Sequence, residues 1–317
     1  KNFLESEDRV PKAVIFYNYP ALAFLRCAAF LKRRDVKVLS DTTEWYDFSA
    51  GSILFRIAKL IDTSVRMHVC NPLSDGLITT SQYLTQRYRK YDRVPLELPT
   101  LFDTNQIPPP EFQPERAFTS YIYVGVPFNP DRVSRNRANV KERLDKVIEV
   151  FATLWRHGEK FTFDIFGLEL REYLKVYPEH GDLISRMSEH IGFWGRQPNR
   201  FVRMRLSQAD FSIFFRDDSR LTRSGFPTKL AESISCGTPV ITNRMVSIER
   251  YAPTPGLLLC EPGEEERVVL AAQAMSRSEI DRLKSAAYES KAFDFSRFSE
   301  DSRKFLARVS IDDGSVS

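Results

Sequence analysis

Residues 210–243 constrain this chain more tightly than any other stretch. The apolar run Phe211-Ser212-Ile213-Phe214-Phe215 has the continuous hydrophobicity of a parallel strand buried on both faces. A polar loop from Arg216 to Ser224 follows, and Gly225-Phe226-Pro227 turns the chain into a helix. Pro227 suits the first helical turn, where a missing N–H leaves no bond unmade. Cys236-Gly237 closes the helix with a glycine just past its end, and Thr238-Pro239-Val240-Ile241-Thr242 begins the next strand. A chain that does this folds as a strand–helix–strand crossover in a parallel sheet.

That geometry carries chemistry. A helix start fed by a glycine turn presents unpaired N–H groups and a positive dipole end, both suited to phosphate. Lys229 places a cation in the first turn, where the dipole disfavours it, and a nearby anion would account for it. Glu232, one turn further in, can accept bonds from sugar hydroxyls. An ordinary crossover with Lys229 and Glu232 in water fits the bare pattern equally well.

Strands and helices alternate elsewhere too. Strands are expected at 13–17, 36–40, 76–80, 94–98, 121–125, 161–167, 191–196 and 256–259, with helices over 20–34, 52–67, 81–90, 140–157, 264–275, 278–291 and 295–308. The fold class is α/β, as two doubly wound parallel-sheet domains facing a cleft. Pro108-Pro109-Pro110 reads as the linker. It divides a first Rossmann-like domain (1–107), which reads as partial, from a second (108–294), with a C-terminal helix over 295–317 open to crossing back to the first.

With 317 residues there is chain enough for two cores, and a net charge of +4 is too mild to argue for nucleic acid. The four cysteines, Cys27, Cys70, Cys236 and Cys260, form no Cys-x-x-Cys pair, which points to a reducing cytoplasm. No apolar run approaches the roughly 20 residues that cross a bilayer. The clusters Lys32-Arg33-Arg34 and Arg87-Tyr88-Arg89-Lys90, with Arg93, leave room for peripheral contact with an anionic membrane face at about 1 kcal/mol per cation. Solvated helix faces are the simpler account.

The organising stretch resembles the donor-binding segment of retaining family 4 glycosyltransferases of the GT-B fold, in the branch that builds bacterial polysaccharides. The resemblance implies that Glu232 holds the nucleotide ribose and that backbone amides of Gly225, Phe226, Pro227, Thr228 and Lys229 hold sugar and diphosphate. Ser235-Cys236-Gly237-Thr238-Pro239-Val240 matches the closing run. A glutamate that the family carries eight positions before Glu232 is Ser224 here, a departure that bears on the sugar contact. Gly125 matches a strand-end glycine, but Val126 stands where the family has arginine, with Arg132, Arg135 and Arg137 of the following loop as stand-ins. Lys141-Glu142-Arg143-Leu144-Asp145 resembles the family's helix-opening segment. Gly167 and Gly195-Arg196 resemble the loops around the nucleotide base.

Lys141, near a helix start, and Arg216, directly after the buried strand, are the expected catalytic cations that neutralise a departing diphosphate, with Arg223 as a weaker donor-side candidate. A surface pair of Arg216 with Asp217 or Asp218 is the plainer alternative. Asp41 and Glu44 are the polar candidates of the first domain for sugar or acceptor, and Tyr17-Asn18-Tyr19 for the acceptor side. No metal-ligand spacing anchors these residues, so a reaction without metal or cofactor is expected. The expected partners are a nucleotide-sugar donor and a glycan or lipid-linked acceptor, in the cytoplasm or at the inner membrane face. A non-catalytic nucleotide-sugar-binding scaffold is the alternative. A nicotinamide enzyme is disfavoured because no Gly-x-Gly-x-x-Gly follows a strand.

Overall fold

The computed structural model describes residues 11–45, 53–91, 95–113, 117–128, 137 and 140–309. The first domain runs β1 (Ala13–Tyr17), α1 (Ala21–Lys32), β2 (Lys37–Thr42), α2 (Ile53–Val65), β3 (Gly76–Thr79), α3 (Gln82–Arg89) and β4 (Leu96–Glu97). Its strands are parallel and ordered β1-β2-β3-β4. The apolar side of α1, Phe24, Ala28 and Leu31, packs with Val36 and Val38. Ser81 caps α3 by accepting a bond from the Leu84 N–H.

The second domain runs β5 (Thr119–Val124), α4 (Leu144–Arg156), β6 (Phe161–Phe166), α5 (Leu170–Val176), α6 (Gly181–Arg186), β7 (Ile191–Gly195), α7 (Asn199–Gln208), β8 (Phe211–Ile213), α8 (Arg220–Ser224), α9 (Thr228–Ser235), β9 (Val240–Asn243), β10 (Leu257–Cys260), α10 (Glu265–Gln273) and α11 (Arg277–Ser290). The sheet order is β10-β9-β8-β5-β6-β7, all parallel. Strand succession therefore reverses between β5 and β8, and a crevice opens at the carboxyl ends of those two strands. Aromatic side chains fill the core beneath it: Phe151 stacks on Phe163 at 4.5 Å and Tyr121 on Phe211 at 5.7 Å. Each such ring contributes about 1.5–3 kcal/mol by burial.

After Phe295–Phe298, the last helix, α12 (Ser299–Arg308), lies on the first domain, where Phe305 packs with Leu39 and Leu96. Gly76 permits that approach, since a Cβ there would stand 2.6 Å from Phe305 Cζ. The proline segment is strapped down. Tyr288 donates to the Ile107 carbonyl at 2.9 Å, and the buried Lys284 ammonium donates to the Glu111 carbonyl at 2.9 Å.

The structure moves several expected boundaries. The helix expected from 140 begins at Leu144, because the Arg143 N–H is held by the Phe215 carbonyl at 2.8 Å, so Lys141 sits in the turn before it. The loop 216–224 contains α8, which Ser219 caps by accepting from Thr222 N–H. Pro227 stands just before the helix rather than in its first turn. The 168–190 connection, which the hydrophobic pattern left without an element, holds α5 and α6.

Candidate active site

The loops after β5 and β8 meet at the point where strand order reverses. Gly125 leaves β5 with φ +144°, and a Cβ there would lie 2.9 Å from Lys229 Nζ. Gly167 leaves β6 with φ +101°, and a Cβ there would stand 2.6 Å from the Gly125 carbonyl. The Gly125 N–H donates to Phe166 and the Gly167 N–H to Gly195, at 2.9 and 2.7 Å, so the strand ends form one glycine-lined rim. Only residues without a Cβ allow this backbone to pass so close to the lysine.

Under the rim lies a buried charge cluster. Arg216 donates to Glu142 Oε1 at 2.7 Å, Tyr123 donates its hydroxyl to Oε2 at 2.6 Å, and the Lys229 ammonium bonds the same Oε2. Arg216, Glu142 and Lys229 are each no more than 10% exposed at the side chain. Burial alone would raise the Glu142 carboxyl, but the Lys229 and Arg216 charges and the bonds from Lys229 and Tyr123 hold it down at about 2. Burial lowers Lys229 from its ordinary 10.5 to about 8 against the opposing pull of Glu142, with Arg216 deepening the fall. Burial first, then the Glu142 charge, pushes the Tyr123 phenol well above its usual range, so it is a donor here. Two cations share one carboxylate, and the Arg216 Nε–H, buried, has no partner. The cluster keeps a net positive charge and one buried N–H without a partner.

A second group spans the domains. Lys141 Nζ reaches Glu44 Oε1 at 2.5 Å, and Glu44 rests against Gly225, where a Cβ would lie 3.2 Å from Glu44 Cγ. Ser224 is fully buried: its hydroxyl accepts the Trp45 N–H at 2.8 Å and donates to Leu221, while its carbonyl accepts Ser81 Oγ at 2.8 Å. The serine at the family's glutamate position thus joins the two domains. Trp45 is covered by Arg87 of α3 at 4.2 Å and by Arg220 of α8 at 5.1 Å. Asp41, at the end of β2, is half-buried, and burial raises its carboxyl above the usual range.

α9 begins with Thr228, whose hydroxyl meets Thr100 of the first domain at 3.3 Å. One turn on, Glu232 is 20% exposed and receives Arg203 Nε from α7 at 3.3 Å. Phe226 faces inward onto Tyr251 and Phe293, so it anchors the turn rather than touching the crevice. Gly195 turns with φ +62° and Arg196 beyond it is exposed. Arg223 is exposed and pairs with Asp218 at 2.5 Å, outside the cluster.

Arg132 and Arg135 lie outside the described residues. Arg137 is engaged at the surface, pairing with Glu179 at 2.6 Å over the Tyr177 ring. The expected alternative for Arg216, a pair with Asp217 or Asp218, is not formed: Asp217 takes Arg143 and Lys146, and Asp218 takes Arg223. Of the basic clusters, Arg87 stacks on Trp45, and Arg34 lies over Phe30 at 3.7 Å. Arg93 lies outside the described residues.

The sequence reading missed Glu142, Tyr123 and Arg203. Glu142 lies inside the Lys141–Asp145 segment, and a carboxylate between cations at a crevice loop was the available signal. Tyr123 and Arg203 sit in a strand and a helix that carry no mark of their partners. Among the described residues no group of three or more His, Cys, Asp or Glu side chains could hold a metal ion.

Residues 132–277, which include Glu142, Arg216, Lys229 and Glu232, match the family model described as glycosyl transferases group 1. No curated protein matches the chain. Among solved structures, sucrose-phosphate synthase from Thermosynechococcus elongatus superposes with a TM-score of 0.65 at 10% identity, over 98% of this chain and 76% of that one. HepE of Anabaena in complex with UDP gives 0.64 at 12% identity, over 92% and 78%. α,α-Trehalose 6-phosphate synthase from Burkholderia multivorans gives 0.64 at 11%, over 97% and 73%. At these identities the likeness establishes the fold, which is GT-B, and residues 132–277 are similar to the glycosyl transferases group 1 family.

Proposed function

We propose that this protein moves a sugar from a nucleoside diphosphate sugar to a glycan or lipid-linked acceptor, with retention at the anomeric carbon and without a metal. The observation that carries the reading is the convergence of Lys141, Arg216 and Lys229 beside the amino end of α9. A diphosphate in the crevice would meet these cations and the first amides of α9 together. As the sugar–phosphate bond breaks, charge grows on the leaving diphosphate. Fixed cations in a nearly dry site stabilise that charge more than they stabilise the bound donor. Glu232 takes the ribose hydroxyls, with Arg203 holding its carboxylate in place. Gly167, Gly195 and Arg196 border the base, and Asp41 and Glu44 face sugar and acceptor from the first domain. HepE, solved with UDP and with UDP-glucose, supports a donor of this class.

The acceptor enters on the first-domain side, near Tyr17 and Asn18, which are exposed. Arg33, Arg89 and Lys90 are exposed on that domain and suit loose contact with an anionic inner membrane face, in the setting of bacterial surface-polysaccharide assembly. Among the described residues no helix is long and apolar enough to cross a membrane.

The test is a panel of UDP-, GDP- and ADP-sugars, scored by the rise in melting temperature and then by transfer or donor hydrolysis. One base and sugar should raise the melting temperature and turn over. Binding without turnover on any acceptor supports the scaffold instead, and no binding at all overturns the donor site.

A further inference from the structure

The two oxygens of Glu44 have different surroundings. Oε1 takes the Lys141 ammonium at 2.5 Å, whereas Oε2 is buried and has no hydrogen-bond partner. Thr42 Oγ1, at the end of β2, is also buried and without a partner. Both residues line one small cavity with Asn18, Tyr19, Asp41 and Arg66, with room for about 10 Å³, the size of one water or one hydroxyl group. Its floor is fixed and satisfied: the Tyr19 hydroxyl bonds Ser40 at 2.9 Å and Asn71 at 2.6 Å, and Ser40 bonds Ser74 at 2.7 Å. Glu44 itself lies against Gly225, at the turn into α9, where a Cβ would stand 3.2 Å from Glu44 Cγ.

Buried polar atoms are nearly always paired, so a pair of unmatched ones lining the same cavity marks a place that something else completes. An ionised carboxylate oxygen only accepts, and a threonine hydroxyl can accept or donate. With Asp41 and Glu44 in the lining against Arg66, a further anion is disfavoured. The missing partner is therefore a neutral O–H donor, and the space admits one. Lys141 ties this place to the diphosphate cluster, because the same lysine that bonds Glu44 belongs to the crevice.

We propose that Glu44, backed by Thr42, selects the donor's sugar by accepting a hydrogen bond from a single sugar hydroxyl. The first domain then reads the sugar while the second holds the diphosphate. This rests on the donor reading above.

The experiment is calorimetric titration of the full chain with UDP, UDP-glucose and its monodeoxy analogues, repeated with GDP and GDP-mannose, on wild type, Glu44→Gln and Thr42→Val. In wild type, removal of one particular hydroxyl should lower affinity about tenfold, and the others little. In Glu44→Gln, the gain of UDP-glucose over UDP should shrink by about the same factor and that hydroxyl should cease to matter. Thr42→Val should show a smaller loss of the same kind. If no single hydroxyl matters in wild type, or if Glu44→Gln changes UDP and UDP-glucose equally, the inference is overturned: the cavity then holds water and Glu44 is only a strut. The deoxy series needs no variant, so a poorly folding Glu44→Gln does not shelter the proposal. Wild type that binds none of the panel of UDP-, GDP- and ADP-sugars overturns the donor reading itself, which is a separate result.

Discussion

Glu142 and Glu44 stand on opposite sides of one crevice and do different jobs. Both oxygens of Glu142 are committed, one to Arg216 and one shared by Lys229 and Tyr123, and the side chain is 6% exposed. Glu44 commits one oxygen to a lysine that is 37% exposed and leaves the other unmatched. A saturated buried carboxylate sets the positions of its cations. A half-satisfied one at a domain seam is available to a ligand. The difference teaches that the second domain fixes its charges against one another, while the first leaves one carboxylate oxygen unpaired.

The sharpest way to break this contrast is to remove each acid. Glu142→Ala leaves buried cations uncompensated and should cost about 3–5 kcal/mol of stability in urea unfolding. Glu44→Ala breaks a more exposed pair and should cost about 1 kcal/mol or less in the same experiment. Equal costs would erase the distinction.

Next come the cations. Arg216→Ala should lower kcat by roughly 10²–10³-fold while donor affinity changes much less, as expected for a group acting on developing charge. Lys141→Ala, whose ammonium is more exposed, should show the same pattern at smaller size. Parallel losses in kcat and affinity would mean that both act on the bound ground state. Glu232→Ala should weaken donor binding by roughly 1.5–3 kcal/mol with little change in kcat. Unchanged affinity in a folded variant would remove Glu232 from the site.

The smallest effects are in pH. Glu142 is held at about 2 in the folded chain, below its ordinary 4.5. Its stabilising contribution is therefore complete above pH 4.5 and is lost as pH falls through about 2. Lys229, at about 8, is charged below that value. Diphosphate affinity should decline as pH rises through about 8, by at most about tenfold per unit. Lys229→Arg should flatten the decline, and a wild-type profile flat from pH 7 to 9 would take Lys229 out of anion binding.

The architecture was legible because local pattern and topology agree here. Continuous apolar runs such as 211–215 mark strands buried on both faces, and Gly237 with φ +71° ends α9 where the sequence placed the stop. The turn into α9 was legible from Gly225-Phe226-Pro227 for the same reason. What stayed hidden depends on pairings across long separations. Glu142 and Lys229 meet from 87 positions apart, and Glu44 and Lys141 from 97. Arg216 had acidic neighbours at hand in Asp217 and Asp218, yet those are taken by Arg143, Lys146 and Arg223, and Arg216 turns inward to Glu142. Ser224 stands where the resembling segment has a glutamate, and its hydroxyl and carbonyl are engaged by Trp45, Leu221 and Ser81. Nothing in the local sequence reports that engagement.

The docking place of a pyrophosphate decides between these readings. A crystal structure with the nucleoside diphosphate that binds best would show it. The expected result puts the phosphates between Arg216, Lys229 and Lys141, with the first amides of α9 as donors. Phosphates lodged instead in the depression of about 490 Å³ that Arg216 lines with Asn243, Arg244 and Met245, but Lys141 and Lys229 do not, would contradict it.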